Sequence, residues 1–182
     1  MTAARQPQAF AVAPLQPLAW TALLGVMVAI AFSAVIARLH APQPGLAWLV
    51  PLLAAGAVPG ALAWALKRRR ITIDGDELRV ASTFYTRRIA VQALDLDRAR
   101  IVDLAEHDEF APRMKTNGYG LPGLRSGHYR LRNGARGFCL LTDRERVLVL
   151  PQRDGRYLLL SPEKPQALLA RLRELAATDR RD

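Results

Sequence analysis

The chain of 182 residues carries 26 Lys and Arg against 16 Asp and Glu, for a net charge of +10, and it has one cysteine. That cysteine count excludes an intramolecular disulfide framework and any C-x-x-C redox or zinc pair, which suits a reducing compartment. The mean hydropathy of +0.04 averages two unlike parts, because all 16 acids and 20 of the 26 cations lie from Ile71 onward.

Residues 1–17 form a short N-terminal segment with one cation, Arg5. Two uncharged apolar runs follow, Leu18 to Ala37 (18–37) and Leu46 to Leu66 (46–66). At roughly 1.5 Å of rise per residue each spans about 30 Å as a helix, the thickness of a bilayer core. The first run exceeds the roughly 7–15 residues of a signal-peptide core, so a retained span is expected rather than a cleaved leader. The connecting stretch from Arg38 to Gly45 holds one Arg, whereas Lys67, Arg68, Arg69 and Arg70 crowd the exit of the second run. The excess of cations on one side predicts that both termini are cytoplasmic, in a multi-pass membrane protein. Trp20 and Trp64 then fall at the inner interface and Trp48 at the outer one.

Thr21, Gly25, Ala29, Ser33 and Ala37 recur every four residues in the first span, and Gly56 and Gly60 form a G-x-x-x-G in the second. Small residues permit close helix approach, either between these two helices or between two copies in a homo-oligomer. Pro51 and Pro59 are expected to loosen the second helix. With no ionisable residue inside either span, a transporter or channel is a poor reading.

The junction 67–70 reads first as a topology anchor and second as a contact for anionic lipid. Beyond it, 71–176 is long enough for one small domain, with 177–182 as a polar tail. Ile71 and Ile73, the Asp74-Gly75-Asp76 turn, then Leu78 and Val80 predict a β-hairpin. Further strands are expected at Phe84–Val91, Ile101–Leu104, His128–Leu131, Gly137–Leu141, Val147–Leu150 and Tyr157–Leu160. The period then changes: Leu168, Leu172 and Leu175 fall at i, i+4 and i+7, which predicts an amphipathic C-terminal helix entered through Pro162 or Pro165.

The order of membrane spans, "ITIDGDELRV", "FYTRRIAV", "RMKTNGYGLPGLRSGHYRL" and "YLLLSPEKPQALLARL" resembles the bacterial pleckstrin-homology-like (bacterial PH) domain proteins, over about Ile71 to Ala176. The resemblance implies a seven-stranded, partly open barrel capped by a C-terminal helix, following a two-helix transmembrane hairpin. It implies a membrane-associated scaffold and no agreed ligand.

Gly118 to Gly123, "GYGLPG", satisfies G-x-G-x-x-G, but Pro122 interrupts it and strand-like residues follow where a nucleotide site needs a helix. A long glycine-rich loop is expected instead. Arg113, Lys115, Arg125 and Arg130 around it are candidate partner-binding residues, with Arg132 and Arg136 nearby. Cys139 between Phe138 and Leu140 reads as a structural strand residue, and the Ser126/His128 pair has no acid nearby in sequence to complete a triad. "EHDEF", Glu106 to Phe110, is an acidic knot without a second ligand segment, so no metal and no cofactor is expected. Nucleic-acid binding is not expected either, since no reading motif is present.

The sequence therefore predicts a non-enzymatic binding or scaffolding module at the cytoplasmic membrane face, acting through a protein partner with lipid as a secondary contact. The competing class is a membrane-bound enzyme around the acidic knot and glycine-rich loop. A pocket joining His107 or His128 to carboxylates would favour the enzyme.

Overall fold

A computed structural model of the chain describes residues 8–15, 17–40, 49–66, 68–82 and 84–179. Arg5, Trp48 and Lys67 lie outside the described residues. A short strand, β1 (Gln8–Phe10), comes first, followed by the apolar helices α1 (Pro17–His40) and α2 (Leu49–Leu66). The helix α2 runs through Pro59. The two helices lie beside each other.

The base of this pair packs against the domain core through Leu15, Ala19 and Leu66, while Leu24, Phe32 and Leu39 along α1 are 57%, 65% and 71% exposed. Among the described residues one helix, Ala19–Leu39, is long and apolar enough by length and composition to cross a membrane. The glycines do not mediate the expected contact between the two helices: a Cβ added at Gly25, Gly56 or Gly60 would meet nothing within 4 Å, so they face open space rather than the neighbouring helix.

Alternation around Asp74-Gly75-Asp76 produces the expected hairpin of β2 (Arg70–Asp74) and β3 (Glu77–Ala81), whose Ile71, Ile73, Leu78 and Val80 turn inward. With β4 (Thr86–Ala90) they make a four-stranded antiparallel sheet in the order β1-β2-β3-β4. The strand β1 was not expected: Gln8, Ala9 and Phe10 pair with Ile73, Thr72 and Ile71. Beyond it, Ala13 N–H donates to Ser161 O and Glu163 N–H donates to Ala11 O. The N-terminal segment is thus stitched into the domain that follows the helices.

The remaining strands are β5 (Arg100–Val102), β6 (Pro112–Leu121), β7 (Leu124–Leu131), β8 (Arg136–Leu141), β9 (Val147–Pro151) and β10 (Tyr157–Leu160), closed by α3 (Pro165–Asp179). They form a six-stranded sheet in the order β5-β9-β10-β8-β7-β6, with β10 parallel to β8. From Arg70 onward nine described strands in two sheets stand where the resemblance implied a seven-stranded barrel. Eight of them match strands expected from the apolar pattern, β5 among them, and the addition is β6, a full strand.

Continuous apolar runs in β8, β9 and β10 mark strands covered on both sides. Phe138, Leu140, Leu148, Leu150, Leu158 and Leu160 face the first sheet and α3, where Leu168, Leu172 and Leu175 are buried as the helical period requires. At roughly 1.5–3 kcal/mol per buried leucine, this helix stripe is a large part of what holds the cap. The opposite face, with Cys139, Leu141, Val147, Val149 and Leu159, is covered by Leu104 and Phe110 from the segment between β5 and β6.

Cys139 is fully buried there, and burial pushes its thiol well above the ordinary range. A thiol held neutral and inaccessible does not react. Maleimide at pH 8 is expected to leave Cys139 unlabelled in the folded chain and to label it fully in denaturant; fast labelling of the folded chain would place that strand wrongly.

Candidate functional site

The glycine-rich stretch expected to be a loop is a paired hairpin. β6 and β7 are joined by the two residues Pro122 and Gly123, the latter at φ +73°. Proline followed by a positive-φ glycine is the signature of a type II turn. The G-x-G-x-x-G match therefore lies on a strand and its turn, with no helix opening within it. Gly118 stands opposite Gly127, and the strands approach so closely that a Cβ on Gly118 would sit 2.5 Å from Ser126 O.

The four candidate cations do not act together. Arg125 donates from its guanidinium to Pro112 O at 2.9 Å, tying the hairpin base. Arg113 and Lys115 are exposed on β6, the edge strand, where the register shifts between Pro112 and Met114 and again between Lys115 and Asn117. Bulges and cations of this kind keep an edge from pairing indiscriminately. Arg130 lies opposite Met114 and lines a cleft that Arg113 and Lys115 do not.

At the junction after α2, Arg68 packs over the Trp64 ring at 5.5 Å, a cation–π distance. Arg69 Nε donates to Leu66 O at 2.6 Å, capping the end of α2, and burial lowers its pKa. Arg70 opens β2 and is exposed. The junction is thus partly structural.

The cleft, of about 560 Å³, opens between the two sheets at the seam where the edge strands β4 and β6 face each other without pairing. One end of the seam is stitched. Ser82 Oγ meets Ser126 Oγ, the Phe84 and Tyr119 rings make an edge contact at 5.3 Å, and Tyr85 O–H donates to Asn117 Oδ1 at 2.9 Å. The other end holds Arg87 from β4, Arg130 and Arg136 from β7 and β8, and Arg156 from the turn before β10.

His128 stands between these ends. Its ring lies against Phe138 at 5.2 Å and Tyr85 at 6.1 Å. Burial lowers its pKa first, the Arg87 charge adds to this, the Asn117 backbone opposes it, and Arg156 lowers it further. Because the folded value lies below that of the unfolded chain, the neutral-ring contribution to stability is fully present above about pH 6.5 and is lost as pH falls through the folded value. A fall in Tm between pH 7 and 5 is expected, and His128→Phe should flatten it; an unchanged slope would mean that other groups set the acid limit.

Ser126 meets Ser82 rather than His128. In the acidic knot, Asp108 pairs with Arg132 and His107 Nδ1 lies 3.7 Å from Glu109 Oε1. Among the described residues no group of three or more His, Cys, Asp or Glu side chains converges as a metal site would need. Sequence reasoning placed Arg136 near Arg130 but missed Arg87 and Arg156 as their partners; the one available signal was the inward parity of Arg87 with Ile89 in "TRRIA".

A family model described as the bacterial PH domain matches residues 69–176. The chain belongs to the bacterial PH domain family. The match begins at the junction and ends within α3, so it covers both sheets except β1, together with most of the cap. No curated protein and no solved structure matches the chain.

Proposed function

We propose that this bacterial PH domain protein is a binding module held at a membrane by its two apolar helices, with the domain and both chain ends on the cytoplasmic side. The observation that carries this reading is that the helix pair is inserted between β1 and β2, two strands that pair with each other. Two crossings return the chain to the face it left and preserve that pairing. One crossing separates the strands, and cleavage after α1 removes β1 altogether. The exposed apolar flanks of α1 favour lipid as their surroundings, and Arg68, Arg69 and Arg70 at the return favour the cytoplasmic face.

The work at that face is binding rather than catalysis. The seam cleft holds His128 among arginines, and no carboxylate is among its described lining residues, the arrangement expected of a binding module. Arg113 and Lys115, which form no ion pair among the described residues, offer the β6 edge to an acidic segment of a protein partner, with lipid headgroups as a secondary contact.

The test joins address and partner. Full-length protein should sediment with membranes after alkaline carbonate washing, and a reporter fused after Asp182 should be active only as a cytoplasmic one. Crosslinking in membranes should capture a defined acidic protein that is lost when Arg113 and Lys115 are both changed to Ala. Extraction by carbonate, an external reporter or an unchanged crosslink pattern would each overturn its part of the reading.

A further inference from the structure

The seam cleft has a charge arrangement that structural roles do not account for. On β4 the residues opposite Leu78 and Val80 are Ile89 and Arg87, so a cation occupies a core-facing position. Its Nε is buried and has no hydrogen-bond partner among the described residues. On the facing sheet, Arg130 stands directly opposite Arg136 in register. Like charges placed so are destabilising.

The next pair inward is His128 opposite Phe138, and the His128 Nδ1 atom is likewise buried without a partner. Arg156 contributes a fourth cation, with Asp154 as its ion-pair partner at 3.2 Å. An inward charge on an edge strand can serve to discourage pairing, which would explain Arg87 alone. It does not explain the Arg130–Arg136 pair, nor an orphaned ring nitrogen. Arg79 also faces Arg88, but among the described residues no unpartnered buried side-chain atom accompanies that pair.

We propose that this seam binds a phosphate-bearing anion, with Arg87, Arg130 and Arg136 as the charge-assisted donors and Phe138 as the apolar wall against which the rest of the ligand lies. Guanidinium groups match phosphate oxygens in geometry as well as charge. An anion between them converts the repulsion of Arg130 and Arg136 into shared attraction and gives the Arg87 Nε an acceptor. A half-open cleft at the mouth of a β-barrel-like pair of sheets is a common place for such a site. The site uses neither Arg113 nor Lys115 and does not depend on the partner-docking reading.

The phosphate can belong to a soluble molecule or to a lipid headgroup, and the experiment separates these sources. Full-length protein in phosphatidylcholine nanodiscs, selectively labelled at its three histidines, is titrated with inorganic pyrophosphate while the imidazole resonances are followed by NMR. The His128 resonance is expected to shift saturably and that of His107 to stay in place. Arg87→Gln and Arg136→Gln should each weaken binding about tenfold, the loss for one charge-assisted contact, while Arg113→Gln with Lys115→Gln changes it less than twofold.

In nanodiscs containing phosphatidic acid, a His128 resonance already at the saturated position identifies a lipid phosphate as the ligand; a free position that still responds to pyrophosphate identifies a soluble one. Both outcomes support the site. A linear, unsaturable shift, no shift with either probe, or equal weakening by the Arg113/Lys115 variant overturns it. Arg136 is exposed at the rim, so its variant remains informative even if Arg87→Gln fails to fold.

Discussion

Replacing Gly127 with alanine is expected to lower the stability of the domain by about 3–5 kcal/mol, adding the strain of a rare backbone conformation to that of overpacking. The backbone at Gly127 has φ +114°, which side-chain-bearing residues rarely adopt. A Cβ there would also sit 2.4 Å from the Gly118 Cα and 2.6 Å from Asn117 O. Both neighbours are backbone, so no flexible side chain can give way. Against a typical total of roughly 5–15 kcal/mol, this is enough to leave a substantial unfolded fraction. Denaturant titration followed by circular dichroism measures it, with Gly25→Ala, where a Cβ meets open space, as the neutral control. A Gly127→Ala variant within 1 kcal/mol of wild type would falsify the close approach of β6 and β7.

The consequence extends to the cleft. Asn117 opposite His128 is the pair next to Gly118 opposite Gly127, so the glycine contact sets how closely the two strands carry those side chains to the seam. A variant that survives folding with the strands pushed apart should also lose the Tyr85–Asn117 hydrogen bond and with it the stitched end of the seam.

How much of this was legible in the chain depends on where each element gets its stability. The β2–β3 hairpin and α3 declare themselves because their inward residues repeat at periods of two and 3.6 within a few residues of one another. The strand β6, "PRMKTNGYGL", has no such alternation; it is extended because β7 pairs with it, and its exposed face carries polar residues. Reading it as a loop followed from composition alone. The cleft was less legible still. Arg87, Arg130, Arg136 and Arg156 come from separate segments, and each is unremarkable in its own window. Only the fold of two sheets against each other gives them a common space. The second core, around Cys139 and Leu159, was hidden for a related reason: unbroken apolar runs say that a strand is covered on both faces but not what covers them.

A chain beginning at Leu66 and ending at Asp182 contains the family-matched region and is expected to be poorly folded nonetheless. It lacks β1 and the residues after it, so β2 becomes a bare edge. Leu15 is buried in the main core, and Phe10 and Val12 pack against it. Their loss removes about 3–6 kcal/mol of burial at roughly 1.5–3 kcal/mol per fully buried side chain, counting Phe10 and Val12 as half-buried. The hydrogen bonds of Ala11 and Ala13 to Glu163 and Ser161 go with them. Joining residues 8–15 to Leu66 through a flexible Gly/Ser linker should restore a cooperative transition, because it supplies the missing strand without either helix. If the truncated chain melts like the linked one, β1 contributes little, and the proposed return of the helices to one face loses its basis. If only the linked chain is stable, the strand that completes the sheet also supports the proposed even number of membrane crossings.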